Sequence, residues 1–280
     1  MANETTTTTA TSALPAIINA GIERTASAMR VFRPVISEFP FAGPGKTMDL
    51  LTLDAVSAAS YTEAATRTFT TGDPTKVTLT PAEIDVAMAF TDKVRRRSIV
   101  ELVSAYTPEI ARAVAVKMDA DVAAENSNFS GTAVDGGTVS SWALSEVLAA
   151  IGNVREAAKD QVGMVAAVCH TAGWDQLVAD SNVISADVRG AGNALFSGVL
   201  ELVGGTRIYF TTAIESSGSP AEYQNMVFTK RAIALAYKTA FEFDAWDDRD
   251  IKSVKIAGGA DYDVAMRFAG EGSVLTYDVA

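Results

Sequence analysis

Between Leu14 and Phe41 the chain carries Ile17, Ile18, Ile22, Met29, Val31, Phe32, Val35, Ile36 and Phe39, yet these residues follow no sustained period. Pro15, Pro34 and Pro40 interrupt them. A segment with that much apolar side chain and no face of its own must lie along another surface. It reads as an extended arm. Ahead of it, residues 1–13 are a threonine-rich tract with nothing to bury, expected to be a mobile tail. That tract has no basic start and no apolar run, so it does not read as a signal peptide.

The next stretch poses the same problem in another form. Residues 46–90 hold two strand-like runs around a Thr-, Ala- and Ser-rich middle with a Gly72-Asp73-Pro74 turn. The first run is Thr47–Val56. The second ends in Ile84, Val86, Met88 and Phe90 alternating with Asp85, Ala87 and Ala89, the period of a strand. Thr80-Pro81-Ala82-Glu83 has the form of a helix capping box, but a helix from Ile84 would have a poor apolar face, so the alternation decides. The expectation is a long hairpin too poor in apolar material to stand alone.

From Ser98 to Glu125 the period becomes helical, with Ile99, Leu102, Val103, Tyr106, Ile110, Val114, Met118 and Val122 three or four apart. Pro108 after Thr107 marks either a kink or the capped start of a second helix. Asn126–Ser141 reads as a glycine- and serine-rich loop and a candidate boundary. Beyond it we expect a helix around Leu144–Val154, a buried strand Met164–Cys169, a short helix Gly173–Ala179 and an irregular loop Ser181–Gly198. Strands are expected at Thr206–Thr212, from Met226, around Phe241 and Phe243, and at Ser253–Ala257, Tyr262–Phe268 and Ser273–Val279, with a short helix at Lys230–Ala234. Helices and strands mix without a βαβ repeat, so the class is α+β.

Charge and rare residues narrow the function. Lysine and arginine number 23 against 34 acidic residues, a net charge of −11 that is a poor start for a phosphate-backbone binder. One cysteine, Cys169, excludes an internal disulfide framework and multi-cysteine metal clusters. One histidine, His170, removes most zinc and serine-hydrolase chemistry. No stretch approaches the ~18 apolar residues of a membrane span. The chain is expected to be soluble, and no catalytic, cofactor-binding or metal-binding residue is assigned.

The remaining motifs have plain explanations. Gly43-Pro44-Gly45-Lys46-Thr47 ends like a phosphate-binding loop, but Pro40 stands where that pattern needs glycine and a strand follows where it needs a helix. Gly190-Ala191-Gly192 puts Leu195 where a dinucleotide fingerprint needs its next glycine. Cys169 and His170 are neighbours on a strand and point to opposite faces. Glu242, Asp244, Asp247, Asp248 and Asp250 lack the spacing of a calcium hand and read as a solvated edge. Arg95-Arg96-Arg97, the one basic run, suits carboxylates of a neighbouring subunit.

The order of these parts resembles a known family. GKTMDLLTL, YTEA and TKVTLTPAEIDVAMAFTDKVRRRSIVELVSAYTPEIARAVAVKMDAD are similar to the extended loop and spine helix of tailed-bacteriophage major capsid proteins of the Hong Kong 97 type. ALSEVLAAIGNVREA, MVAAVCHTAGWDQLVAD, LFSGVLELVGGTRIYFTTAI and MVFTKRAIALAYK resemble its axial domain, and DYDVAMRFAGEGSVLTYDVA its closing strands. The resemblance implies an N-terminal arm over 1–45, an extended loop over 46–90, and a peripheral domain from 91–140 and 247–272 with its spine helix at 98–125. The axial domain would be 141–246 and 273–280.

The implied function is a structural shell of pentamers and hexamers enclosing double-stranded DNA, with no enzyme activity. Partners would be further copies of the chain, a separate scaffolding protein, a portal, decoration proteins, and DNA bound without sequence preference, with no membrane. Such a shell is assembled in the host cytoplasm and resides in the virion. Lys46 and Lys76 lie in the loop region, but no asparagine partner for the cross-link of some members is evident, so that feature is not carried over. The candidate inter-subunit contacts are Ile17, Ile18, Ile22, Phe32, Phe39, Phe41 and Phe69, with Arg95, Arg96 and Arg97. The alternatives are an encapsulin-like nanocompartment of the same fold, a cysteine hydrolase using Cys169 and His170, and a binding module.

Overall fold

The computed structural model describes residues 4–5, 30–41, 43–53, 58, 60, 62–63, 66, 69, 72, 74–98, 102–138, 144–159, 164–179, 200–201, 206–217 and 222–278. Ile17, Ile18, Ile22, the glycines at 190 and 192 and all of the expected 181–198 loop lie outside them.

The strands are β1 (Glu4–Thr5), β2 (Ser37–Pro40), β3 (Met48–Thr52), β4 (Thr75–Leu79), β5 (Ala82–Thr91), β6 (Val134–Thr138) and β7 (Val165–His170). They continue as β8 (Leu200–Glu201), β9 (Arg207–Thr211), β10 (Ser216–Ser217), β11 (Glu222–Thr229), β12 (Ile233–Asp248), β13 (Ser253–Met266) and β14 (Gly272–Asp278). The α-helices are α1 (Asp92–Arg97), α2 (Leu102–Ala124), α3 (Leu144–Ala158) and α4 (Trp174–Ala179). One sheet runs β1-β5-β13-β12-β2, a second β6-β14-β11-β7-β9-β8 with β10 beside β11, and β3 pairs with β4 alone.

The alternation through Ile84–Phe90 does make a strand, but not the return limb of the hairpin. β4 is that limb, with Met48 opposite Leu79 and Thr52 opposite Thr75. Pro81, without an amide donor, lies just before β5, and β5 then pairs antiparallel with β13. The segment Lys230–Ala234 is a turn and a strand start rather than a helix: the Ala232 amide donates to Thr229 O, and β12 begins at Ile233. Ile233 and Leu235 face the main core while Ala234 and Ala236 face the hairpin, so both sides of the strand are covered. The two strands expected at Ser253–Ala257 and Tyr262–Phe268 are one, β13. Val134–Thr138, read as loop, pairs parallel with β14. Glu4 and Thr5, expected in the mobile tail, add a parallel edge to β5 beside Ala89 and Phe90. An edge strand needs backbone donors and acceptors, not apolar side chains.

Helix α2 runs unbroken through Pro108, as one helix rather than two. At ~1.5 Å per residue it is about 35 Å long. The Thr107 hydroxyl donates to Val103 O at 2.8 Å, within the turn where proline supplies no amide. Ile110, Val114, Met118 and Val122 are buried, as their spacing requires. The helix can sit close to β13 because Gly258 has no side chain there; a Cβ would come within 2.6 Å of Ile110 Cγ2.

The main core lies where the two sheets and α2 meet, with Val114, Met118, Val168, Met226, Phe228, Ile233 and Leu235 in mutual contact. A second core packs α3 through Val147, Ile151 and Val154 on Val165, Ala167, Val227 and Tyr277 of the second sheet. The boundary expected between residues 246 and 247 falls inside β12, whose whole length belongs to the five-stranded sheet.

Candidate functional site

Four surfaces bear on function, and the front segment comes first. Phe32 is fully buried with Val35 and Ile36 among the main-core residues, so its ring has no surface left for a neighbour. This corrects its placement among the inter-subunit contacts: Phe32 anchors the arm to its own molecule. The Val31 amide donates to Asp119 Oδ2 at 2.7 Å, and Arg30 lies 2.8 Å from Glu38 and 3.9 Å from Asp119. Burial pushes the Asp119 carboxyl up to about 6, against the opposing pull of the Val31 amide and Arg30. Phe39 is half-buried on β2 against the hairpin's small core, and the Phe41 amide donates to Tyr237 O at 2.8 Å.

The β3–β4 hairpin has one covered face. Leu50 and Leu79 are buried on Ala234 and Ala236 of β12, with Met48 and Val77 beside them. The other face carries Leu51 at 60% exposure and, just beyond β3, Leu53 at 78%. Phe69, in the connection, is 88% exposed. Sequence reading named Phe69 and missed the two leucines, although the alternation of Met48, Leu50 and Thr52 against Asp49, Leu51 and Leu53 carried that signal.

Arg95, Arg96 and Arg97 form the last turn of α1, an element not foreseen, and all three are exposed. Arg95 lies 3.8 Å from Asp92 and 3.7 Å from Asp247, while Arg96 lies 3.8 Å from Asp92. Arg97 has no ion pair among the described residues. At these distances and exposures the pairs add little stability. The run is therefore a surface feature.

The acidic residues divide between two places. Glu242 and Asp244 stand on the sheet face away from α2, whereas Asp247 and Asp248 end the strand and Asp250 sits in the turn. Asp248 bonds Lys255 Nζ at 2.6 Å, and that bond holds its carboxyl below the usual range. Among the described residues no group of acidic, His or Cys side chains has the arrangement to hold a metal ion.

Cys169 is fully buried, which pushes its thiol up to about 12 and leaves no thiolate for catalysis. His170 stacks on Tyr223 with ring centroids 3.8 Å apart, and its Nδ1 accepts from the Ala172 amide at 3.1 Å. The two side chains do not form a nucleophile–base pair. Gly43–Thr47 bends straight into β3, so no helix N-terminus faces an anion there. Among the described residues no helix is long and apolar enough to cross a membrane.

The described elements make an α+β fold with an arm, a hairpin seated on β12, a long helix across one sheet and a second helix-backed sheet. Solved structures share it. A chain from Mycobacterium phage Che8 matches with TM-score 0.66 and 20% identity, over 82% of this chain and 84% of that one. A chain from the capsid structure of the Cyanophage P-SCSP1u matches with TM-score 0.69 and 12% identity, over 97% and 92%. One from the head structure of Helicobacter pylori bacteriophage KHP40 matches with TM-score 0.69 and 9% identity, over 90% and 91%. The fold is shared with these chains. No family model and no curated protein matches the sequence.

Proposed function

We propose that this chain is the major capsid protein of a tailed phage, a structural protein that assembles as pentamers and hexamers into an icosahedral shell around double-stranded DNA. The observation that carries the reading is the hairpin: on a fold shared with capsid and head chains, it holds Leu51, Leu53 and Phe69 away from its own molecule. Exposed apolar side chains on a projecting ribbon suit burial against a neighbouring copy, and heterologous contacts of that kind close into rings. Interfaces of obligate assemblies bury more than ~2,000 Å² and are rich in apolar contact. The net charge of −11 supports a container whose wall does not grip its genome.

Within this reading, the five-stranded sheet with α2 is the peripheral part and the second sheet with α3 the axial part. A separate scaffolding protein, a portal and decoration proteins are its partners, with assembly in the host cytoplasm and residence in the virion. The test is to express the chain with its scaffolding protein and take electron micrographs. Closed icosahedral particles are expected. A compact monomer that stays solitary at high concentration overturns the proposal, and particles filled with an enzyme instead of DNA would mark a nanocompartment.

A further inference from the structure

Six cations gather at one end of the five-stranded sheet: Lys93, Arg95, Arg96 and Arg97 from α1, and Arg249 and Lys252 from the β12–β13 turn. They border an open groove of about 660 Å³. The corner is held together by the Asp92 amide, which donates to Lys252 O at 2.8 Å, and Arg95 lies 3.7 Å from Asp247. Asp92 and Asp247 lie only near Arg95 and Arg96, which leaves Lys93, Arg97, Arg249 and Lys252 exposed with no ion pair among the described residues. A groove with four unpaired cations fits an anionic partner.

The same chain carries a matching surface. On β5, Ile84, Val86 and Met88 face α2, so Glu83 and Asp85 stand on the opposite face of the sheet. In register across that face, Gly259 of β13 lies between Asp85 and Glu242, Ala257 lies between Ala87 and Asp244, and Asp261 lies opposite Glu83. Ala257 and Gly259 of the middle strand thus give a low floor, with Glu83 and Asp85 on one side, Glu242 and Asp244 on the other, and Asp261 at one end of the floor. The trough measures about 360 Å³. Its floor must stay bare, because a Cβ at Gly259 would come within 2.5 Å of Ile84 O. None of Glu83, Asp85, Glu242, Asp244 and Asp261 makes an ion pair among the described residues. Like charges held side by side without a counter-charge weaken the sheet that carries them. A guanidinium lying between the walls would offset that and can bond carboxylates in pairs.

We propose that the basic edge of one copy, led by Arg97, seats in the carboxylate-lined trough of a second copy. This names one subunit contact within the capsid reading and rests on it. Charge complementarity selects the occupant. Every copy carries both halves, so the contact is head-to-tail and repeats around a ring. A phosphate backbone is the rival occupant, and charge exchange distinguishes the two.

Charge exchange tests it. Lys93→Glu with Arg97→Glu reverses the edge, Asp85→Lys with Asp244→Lys reverses the trough, and a third chain carries all four substitutions. All four sites are exposed, and circular dichroism melts check that each variant folds. Each two-fold variant should lower particle yield about tenfold or more, and the four-fold variant should restore it, because the exchanged charges meet again. Wild-type yield from both two-fold variants, or a four-fold variant no better than the worse of them, overturns the contact. Full shell yield with loss of retained DNA from the edge variant also overturns it, since the occupant would then be DNA.

A second measurement does not need shells. Copies bearing Arg97→Cys are mixed with copies bearing Asp244→Cys and oxidised, while the buried Cys169 stays inert. A covalent heterodimer is expected, and its absence overturns the contact. If the wild-type chain builds no particles while the two cysteine variants yield this heterodimer, the capsid reading falls and the contact stands.

Discussion

The β3–β4 hairpin and the β7–β11 pair are both antiparallel two-strand units, yet they end up in opposite circumstances. β7 is buried from Val165 to Cys169, and β11 from Asn225 to Thr229, because helix α3 covers one face and α2 with the five-stranded sheet the other. The hairpin has a few β12 and β2 residues beneath one face and solvent over the other. Each has apolar residues enough to be a strand. Only one finds cover for all of them within the chain. The difference teaches that apolar content alone does not mark a core; the second layer does.

The sharpest way to break this comparison is to truncate Phe228, fully buried in β11 and stacked on Phe129 with centroids 5.8 Å apart. Phe228→Ala should cost about 3–5 kcal/mol of folding stability in urea titrations.

Next is the anchor of the front segment. An Asp119 carboxyl near 6 in the fold, against an ordinary value of 3.8, binds its proton more tightly folded than unfolded. Its contribution to stability therefore falls as pH rises from about 4 through about 6, by on the order of 2–3 kcal/mol. Asp119→Asn should remove that slope, read as the difference between urea midpoints at pH 4.5 and 6.5.

Glu271 follows: it accepts from Thr229 Oγ1 at 2.7 Å and Arg231 Nε at 2.7 Å, where the end of β11 meets the start of β14. Glu271→Gln should cost about 2 kcal/mol, read from the thermal midpoint.

The smallest effect on folding belongs to the hairpin. Leu53→Ser and Phe69→Ser should move stability by no more than about 0.5 kcal/mol while lowering particle counts in electron micrographs. A large loss of monomer stability from these two would mean that the hairpin finds its cover at home, and the comparison would fail.

Much of the second region was legible. The helical spacing of Leu144, Val147, Ile151 and Val154 and the apolar run before His170 each gave an element close to its final bounds. The hairpin was legible in existence and wrong in pairing. Val77 and Leu79 alternate with Lys76 and Thr78 in β4, but the stronger alternation from Ile84 to Phe90 outweighed them. Pairing is a long-range choice, and β13, the partner β5 takes, lies over a hundred and fifty residues away. The turn at Lys230–Ala232 was hidden because alanine and lysine favour helices locally, while Ala234 and Ala236 are small to let the hairpin approach. Among the residues expected at subunit contacts, Arg97 and Phe69 are exposed in the chain, and Phe32 is buried. The trough was invisible because Asp85, Gly259 and Glu242 meet only in the sheet's register.

Strands β12 and β13 form a single girder, sixteen and fourteen residues long, that reaches from the hairpin's seat to the cationic corner. At ~3.3 Å per residue it spans close to 50 Å. Its ladder slips twice, between Tyr237 and Thr239 and again between Thr239 and Glu242. Slips of this kind bend a strand and add to its twist, so the beam is two regular lengths joined through an irregular one. The seat of the hairpin and the cationic corner therefore lie on opposite sides of that irregular stretch, and a change of twist there would reorient one against the other.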